Sequence, residues 1–201
     1  MVPKRVRANA RCLKASIRIS NLPGLLMKRL ILMRHAKTEP YGEGIDDFGR
    51  ALTEQGHADA RRIAEELVAM GWSPERILVS TARRARETCS EAARVFEGEK
   101  VRPMESLYLC GVRGLADAVK QNDGAGTLMV IGHNPGIHDF ALDILRDGGS
   151  QDHYASLRLS EKFPTSCAAL FEREDDGSFV PVLYRLAGVL RAKDYRKAEA
   201  D

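Results

Sequence analysis

The stretch LILMRHAKTEP, residues 30–40, carries the sequence signals from which both the fold and the chemistry can be argued. Four apolar residues, Leu30 to Met33, run without interruption into Arg34 and His35. Such a run is typical of a short strand buried on both faces of a parallel sheet. Polar residues often simply end a strand, but a buried strand can also deliver a cation and an imidazole to a site. The remaining sequence distinguishes these two interpretations.

The composition is that of one globular domain. The chain has 201 residues, of which 44% are hydrophobic and 29% are charged, values ordinary for a protein that buries a core. Four scattered cysteines, Cys12, Cys89, Cys110 and Cys167, form no CxxC pair and predict neither a zinc site nor disulfides. We therefore expect a reducing, cytoplasmic location. No apolar stretch approaches the length of a membrane-spanning helix, and no membrane partner is expected.

The net charge of +3 is unevenly distributed. Residues 1–26 contain six basic residues and no acid, whereas the rest of the chain holds 25 basic and 28 acidic residues. We therefore expect no nucleic-acid partner for the domain. The basic extension could be a transit peptide, an arm that touches nucleic acid or anionic lipid, or an over-extended gene start before Met27. We favour the last, and expect residues 1–26 to lie outside a single domain of residues 27–201.

Apolar runs alternate with helical patterns along the domain. The predicted strands are 29–34, 76–80, 101–104 and 127–132. The predicted helices are 54 to about 70 with Thr53 as cap, 82–96, 112–120, and one with Asn134 as N-cap and Pro135 as first residue. Residues 167–172 and 179–184 are predicted to form a closing hairpin, and 152–162 a solvated surface loop. This alternation predicts an α/β fold of three layers, α/β/α, with a mostly parallel central sheet.

Reactive side chains follow three of the predicted strands. Arg34 and His35 follow the first, Arg83 and Arg84 follow RILVS (76–80), and His133 follows TLMVIG (127–132). Ligands of such sheets bind beyond the carboxyl ends of the strands, so these groups should converge. Two histidines and two arginines suit a phosphate dianion, because arginine binds phosphate oxygens bidentately. A histidine there could attack phosphorus, with the arginines in the role that a metal has elsewhere, so we expect no metal and no cofactor.

These residues also carry a resemblance to a known family. Arg34-His35-Ala36 resembles the RHG/RHA motif of the histidine phosphatase superfamily, and Ser80-x-x-x-Arg84-Ala85-x-x-Thr88 is similar to its second arginine motif. Gly132-His133-Asn134-Pro135-Gly136 resembles the GHNPG form typical of the SixA-like phosphohistidine phosphatases. Arg50-Ala51-Leu52-Thr53-x-x-Gly56 and Phe163-Pro164-Thr165 match the same group. The likeness spans about residues 28–190, with three motifs in order, each after a predicted strand.

The resemblance implies a phosphoglycerate mutase-like fold and a role for each matching residue. It implies that His35 is the nucleophile, that Arg34 and Arg84 bind phosphate, and that His133 contacts the phosphate and stabilises the transition state. The spacing from Ser80 favours Arg84 over Arg83 as the inward arginine. We expect Arg83 and Arg86 at the rim or in solvent.

Two departures from the larger mutase-like members bear on the substrate. Those members place a glutamate acid in the region that here reads ESLYLCG (105–111), where Tyr108 stands near the expected position; Glu105 and Glu43 are possible substitutes. A missing acid fits a P–N substrate, because imidazole, whose conjugate acid has a pKa of about 6.5, leaves easily. In addition, only 48 residues separate Arg84 from His133, which predicts that a large cap insert is absent.

The sequence thus favours a metal-independent phosphatase with a phosphohistidine intermediate, acting on phosphohistidine of a signalling protein such as a phosphotransfer domain. Two alternatives stay open: a broad phosphomonoesterase for small molecules, and a module that binds phosphohistidine without turnover. His57, His138 and His153 lie outside the motifs and are predicted to be structural. Asp46 and Asp47 could bind a metal but are more typical of a solvated loop.

Overall fold

The computed structural model describes residues 27–40, 44, 46–150, 152–173 and 180–196. The predicted basic extension, residues 1–26, lies outside these described residues, as does Glu43. Among the described residues, no helix combines the length and the apolar character needed to cross a bilayer.

Six strands form one sheet at the centre of the described chain. They are β1 (Arg29–Arg34), β2 (Arg76–Ser80), β3 (Lys100–Met104), β4 (Thr127–Gly132), β5 (Cys167–Glu172) and β6 (Arg185–Arg191). Their order in the sheet is β3-β2-β4-β1-β5-β6. The first four strands in this order are parallel, whereas β5 runs antiparallel to β1 and β6 antiparallel to β5. The prediction of a mostly parallel sheet is confirmed.

Helices cover both faces of this sheet. They are α1 (Glu54–Ala69), α2 (Arg83–Ala93), α3 (Val112–Lys120), α4 (Gly136–Gly148), α5 (His153–Glu161) and α6 (Ala192–Tyr195). On one face, α1, α2 and α6 pack on a core cluster that includes Ile31 and Met33. On the other face, α3, α4 and α5 pack on a cluster that includes Leu30 and Leu32. Because successive strand residues point to opposite faces, β1 supplies both cores, and the three-layer prediction is confirmed.

The turn that leads into α1 explains one of the sequence motifs. The Thr53 hydroxyl accepts a hydrogen bond from Gly56 N at 2.9 Å and caps the helix. A Cβ at Gly56 would lie 2.2 Å from the carbonyl oxygen of Lys37, so only glycine fits this close approach. Thr53 and Gly56 thus allow the start of α1 to pack closely against Lys37, in the segment that follows His35.

Within residues 152–162, where a surface loop was predicted, His153–Glu161 form helix α5. The Asp152 carboxylate accepts hydrogen bonds from the N–H groups of Tyr154 and Ala155, which makes it the N-cap of α5. Ala155 and Leu159, one helical turn apart, are buried in the core. The helical spacing of this apolar pair was not recognised in the sequence, because the segment is short and most of its residues are polar.

The closing hairpin uses a later segment than the sequence predicted. Residues 181–183 form a 3₁₀ turn that begins at Pro181, and the strand that pairs with β5 is Arg185–Arg191. Proline lacks the N–H that a strand ladder needs, which explains why residues 179–184 are not the strand. Residue 179 lies outside the described residues.

Helix α4 also begins later than predicted. Its first residue is Gly136, with Pro135 as N-cap, and the Asn134 side chain donates from Nδ2 to the Phe163 carbonyl at 2.9 Å instead of capping the helix. The segment from Arg84 to His133 is fully described and forms α2, β3, a 3₁₀ turn, α3 and β4. All of these belong to the three layers, so no large cap is inserted there.

Candidate active site

Three neighbouring strands bring the predicted site residues to one edge of the sheet. Arg34 ends β1, Ser80 ends β2, and Gly132 ends β4, which lies between them. An open pocket of about 530 Å³ lies at this edge. The eleven described residues that line it are Arg34, His35, Thr38, Asp47, Arg50, Arg84, Tyr108, Leu109, His133, Asn134 and Thr165. All four predicted site residues, Arg34, His35, Arg84 and His133, are therefore brought together.

His35 is held by its backbone and by one ring nitrogen. Its N–H donates to the Gly132 carbonyl, and its carbonyl accepts the N–H of Ser166. Nδ1 lies 2.8 Å from the Ala36 carbonyl oxygen, an acceptor only, so Nδ1 carries the ring proton and Nε2 has a free electron pair. Burial and the cations nearby lower the pKa of His35 to about 3. The ring is therefore neutral at pH 7, as a nucleophile must be.

His133 faces His35 across the pocket, with ring centroids 5.1 Å apart. Its Nε2 lies 2.8 Å from the hydroxyl oxygen of Ser80, whereas its buried Nδ1 has no hydrogen-bond partner among the described residues. Burial and the charge of Arg84 lower the pKa of His133 to about 4. His133 is therefore a neutral ring that can offer hydrogen bonds without adding charge.

The two neighbouring arginines of α2 lie in different environments. Arg84 is 3% exposed and donates from Nε to His35 Nε2 at 3.2 Å. Arg83 is exposed and pairs with Glu87 at 2.7 Å. The structure thus turns Arg84 inward, as the spacing from Ser80 favoured, and leaves Arg83 in solvent; Arg86 is likewise exposed.

The segment before β5 holds Arg34 at the pocket. Its Nη1 donates to the Phe163 carbonyl at 3.0 Å, the same oxygen that accepts from Asn134. Its Nε is buried and has no hydrogen-bond partner among the described residues. Buried polar groups are nearly always hydrogen-bonded, so Arg34 Nε and His133 Nδ1 are two exceptions among the described residues of the pocket.

Asp47 is the site residue that sequence reasoning missed. The sequence favoured a solvated loop for Asp46 and Asp47, and only Asp46, whose carboxylate accepts from Gly49 N, is placed so. Asp47 Oδ2 accepts from Arg84 Nη2 at 2.8 Å and from the Tyr108 hydroxyl at 2.9 Å. The Asp47 backbone carbonyl also accepts from Arg84 Nη1. The only sequence signal was its place three residues before the Arg50 motif.

Glu105, one of the two acids considered from sequence, is not among the described residues that line the pocket. Glu105 is exposed at the start of the 3₁₀ turn before Tyr108, and Glu43 lies outside the described residues. Among the eleven residues that line the pocket, Asp47 is the single carboxylate. Tyr108 does lie in the pocket, where burial and the hydrogen bond to Asp47 raise its pKa. Among its described lining residues, the pocket therefore holds one carboxylate beside Arg34, Arg50 and Arg84.

Two of the three histidines outside the motifs have structural partners, and the third is exposed. His57 pairs with Glu91 at 3.1 Å, and His138 lies 2.7 Å from the Leu159 carbonyl and stacks on Phe163. His153 is exposed at the first residue of α5. Within the part of the chain that the structure describes, no group of three or more His, Cys, Asp or Glu side chains is placed to hold a metal ion.

Comparisons with known proteins agree with this geometry. The family model of the histidine phosphatase superfamily (branch 1) matches residues 30–108. An uncharacterized protein of Mycobacterium tuberculosis is 33% identical over 145 residues, which cover 69% of this chain and 85% of that protein. An uncharacterized chloroplastic protein of Arabidopsis thaliana is 32% identical over 127 residues, and the chain spans 58% of its length.

Among solved structures, the chain is similar to the proposed phosphohistidine phosphatase SixA of Agrobacterium tumefaciens. The two share 27% identity with a TM-score of 0.69, and the match covers 82% of this chain and 98% of that one. The SixA-like, phosphoglycerate mutase-like fold predicted from the motifs is therefore confirmed.

Proposed function

The chain belongs to the histidine phosphatase superfamily, and from this premise we propose that it is a phosphatase that works through a phosphohistidine intermediate on His35. The observation that carries the proposal is the state of His35: its Nδ1 is tied to the Ala36 carbonyl, and its unprotonated Nε2 faces the pocket beside Arg84. A pocket built only to bind phosphate would need no such nucleophile.

In the first step, His35 Nε2 attacks the phosphorus of the substrate. A bond forms between Nε2 and phosphorus while the bond from phosphorus to the leaving group breaks, and the leaving group takes that electron pair. Arg34 and Arg84 bind the equatorial oxygens, and His133 contacts the phosphoryl group beside them. Arg84 must release His35 Nε2 before the attack, and a phosphoryl oxygen offers its Nε–H another acceptor.

In the second step, water attacks the phosphorus of phospho-His35. The N–P bond breaks, its electron pair returns to Nε2, and inorganic phosphate leaves with the water oxygen. We propose that the arginines supply the charge stabilisation in both steps, so that turnover needs no divalent metal ion.

We propose phosphohistidine on a signalling protein as the substrate. Two observations support this. First, no large cap covers the pocket between Arg84 and His133, so a side chain carried by another protein can reach it. Second, no glutamate from 105–111 lines the pocket, and an imidazole needs less help to leave than an alkoxide.

We assign the activity to the single domain of residues 27–201 that the sequence predicted. Two contacts at Met27 support this boundary: its N–H donates to the Asp123 carbonyl at 2.9 Å, and its carbonyl accepts the Tyr184 hydroxyl at 2.7 Å. Met27 therefore belongs to the core.

The test compares wild type with His35→Ala on a phosphohistidine-bearing protein and on p-nitrophenyl phosphate, each with and without EDTA. We expect wild type to prefer the phosphoprotein, to be insensitive to EDTA, and to become labelled by radioactive phosphate in an acid-labile, alkali-stable form. His35→Ala should lose turnover and label. His57→Ala is the matched control, since His57 is outside the pocket, and it should stay near wild type.

Each other outcome points to a different function. Equal or better turnover of the small ester would make the protein a broad phosphomonoesterase. Phosphate binding without turnover of either substrate would make it a binding module. Turnover that survives in His35→Ala would remove His35 as the nucleophile.

A further inference from the structure

Asp47 is a hydrogen-bond acceptor in a pocket whose other proposed roles, apart from the nucleophile, are those of hydrogen-bond donors to phosphate. Phosphate needs the guanidinium of Arg84, yet Asp47 binds that guanidinium through both its carboxylate and its backbone carbonyl. A carboxylate at this position weakens the attraction for a phosphate dianion, so it calls for another role. Asp47 also accepts from Tyr108, which fixes the carboxylate at the wall of the pocket.

Building on the proposed function, we infer that Asp47 selects the leaving group, by accepting a hydrogen bond from the second ring nitrogen of phosphohistidine and so favouring P–N over P–O substrates. The residue would act on the imidazole that departs, whereas Arg34, Arg84 and His133 act on the phosphoryl group that is transferred.

The position of Arg84 supports separate roles for Asp47, which acts on the leaving group, and for His35, which attacks the phosphoryl group. Its guanidinium reaches His35 Nε2 with Nε at 3.2 Å and Asp47 Oδ2 with Nη2 at 2.8 Å, so it spans the distance between nucleophile and carboxylate. A phosphoryl group bound to the inner edge of Arg84 would have His35 on one side and its leaving group towards Asp47. Asp47 Oδ1 also lies 3.4 Å from Arg50 Nη1. The N–H of the leaving ring would therefore take the place on Asp47 Oδ2 that Arg84 Nη2 gives up when Arg84 turns to the phosphoryl oxygens.

The side chains around Asp47 suit a flat ring. Tyr108 lies edge-on to Phe48, with ring centroids 5.1 Å apart, and edge-on to His133 at 5.5 Å. Leu109, which is 55% exposed, continues the apolar surface at the pocket mouth. An imidazole that enters the pocket would pass along this aromatic and aliphatic wall with its polar edge towards the carboxylate.

The chemistry explains how the leaving group departs without a separate acid. Phosphohistidine carries phosphorus on one ring nitrogen and can carry a proton on the other, and a nearby carboxylate favours this protonated ring. When the P–N bond breaks, its electron pair stays on the departing nitrogen and the proton stays on the other nitrogen. The product is neutral imidazole, hydrogen-bonded to Asp47, so no further proton is needed.

A phosphate ester would gain nothing from the same carboxylate. Its oxygen takes on negative charge as the P–O bond breaks, and Asp47 would repel that charge. Without a donor acid in place of Asp47, the oxygen would leave as an alkoxide or phenoxide. The same residue therefore assists one class of leaving group and hinders the other.

The test is Asp47→Asn, with the ratio of kcat/KM for a phosphohistidine protein to kcat/KM for p-nitrophenyl phosphate as the readout. We expect this ratio to fall at least about tenfold, the scale of one charge-assisted hydrogen bond. Inhibition by inorganic phosphate should become tighter in the same variant, because Arg84 loses a competing anion. Asp47→Glu, which keeps the charge, should restore part of the ratio.

Asp46→Asn is the matched control, because it removes the same charge from the same loop but not from the pocket; its ratio should equal that of wild type. An equal fall for both substrates in Asp47→Asn would show that Asp47 merely positions Arg84, and an unchanged ratio would show no role in selection. Both results would overturn the inference. A wild-type enzyme that fails to cleave phosphohistidine would instead overturn the proposed function, independently of any Asp47 variant. Thermal melting of each variant checks that it is folded.

Discussion

Arg83 and Arg84 are adjacent in the chain yet differ completely in what they contact. Arg84 is buried against His35 and Asp47, whereas Arg83 extends into solvent beside Glu87. We expect Arg84→Ala to lower kcat/KM by about 3–4 kcal/mol of transition-state stabilisation, the cost of removing one preorganised donor. Arg83→Ala should stay within a few-fold of wild type, since surface ion pairs contribute little.

Steady-state kinetics on the same substrate batch measures both arginine variants. Arg84→Lys should recover little of the loss, because a lysine ammonium cannot reach two partners in the plane of a guanidinium. A larger loss in Arg83→Ala than in Arg84→Ala would mean that the inward arginine is misassigned.

The pair of Ser80 and His133 decides which ring nitrogen of His133 carries the proton. Both residues are buried, and Ser80 Oγ accepts the N–H of Ala82 at 3.4 Å and lies 2.8 Å from His133 Nε2, to which we expect it to donate its own hydrogen. We expect this arrangement to put the ring proton on the buried Nδ1. We therefore expect Ser80→Ala to lower kcat and to shift His133 towards a mixture of tautomers.

Long-range ¹H–¹⁵N correlation spectra of the histidine rings measure this tautomer directly, without any substrate. Ser90→Ala, a change at an exposed position of α2, is the control and should leave the spectrum of His133 unchanged. The same Nδ1–H tautomer in wild type and in Ser80→Ala would show that Ser80 does not set the proton position.

At the scale of elements, one side chain joins α2 to the end of β1. The Thr88 hydroxyl accepts the N–H of Ala36 at 2.9 Å and donates to the Arg84 carbonyl at 2.7 Å. It thus links the residue after His35 to the residue that binds His35. We expect Thr88→Val, which has the same shape, to destabilise the protein by about 1–3 kcal/mol, because the buried Ala36 N–H loses its acceptor.

Urea unfolding and kcat measure the two effects of Thr88→Val, and kcat should fall as well because His35 and Arg84 are no longer tied together. Thr81→Val is a close control: the Thr81 hydroxyl is buried without a hydrogen-bond partner among the described residues, so its removal should be neutral or slightly stabilising. Equal destabilisation by both changes would attribute the loss to packing alone.

The elements that sequence reasoning predicted correctly are those with a strong local signal. The parallel strands β1, β2 and β4 are continuous apolar runs, and α1 has a capping threonine and a closing glycine, so local physics determines them. Helix α5 and strand β6 depend on contacts across the chain: α5 buries only one apolar pair, and β6 is defined by its pairing with β5. The spacing of apolar residues along the sequence does not reveal such contacts between distant parts of the chain.

At the scale of the whole molecule, the site likewise contains residues that could be predicted from local sequence signals and one that depends on contacts across the chain. Arg34, His35, Arg84 and His133 each follow a strand that the sequence shows, and parallel strands must end at one edge, so their convergence could be predicted. Asp47 belongs to a loop rich in glycine and aspartate, and its position depends on the guanidinium of Arg84, 37 residues away. Only the tertiary structure places such a residue in the pocket.

The free energy of unfolding of the domain should depend on pH because His35 and His133 are neutral in the folded state. The folded-state pKa values of His35 and His133, about 3 and about 4, lie below the value of about 6.5 expected in the unfolded chain. Below pH 6.5 the unfolded chain therefore binds more protons than the folded one, and the free energy of unfolding falls as pH falls towards these folded-state values. Each histidine should contribute about 1 kcal/mol per pH unit in this window.

Urea unfolding between pH 7 and pH 5, above the range in which most carboxylates titrate, measures this slope. The expected result is a stability that is constant near neutral pH and falls below pH 6.5 with the slope of two protons. In His133→Asn the slope should halve, whatever that change does to the stability at pH 7, because one of the two protons is no longer taken up on unfolding. An equal slope in both proteins would mean that folding does not lower the pKa of His133, and a smaller slope in wild type than in His133→Asn would mean that the folded-state ring is protonated.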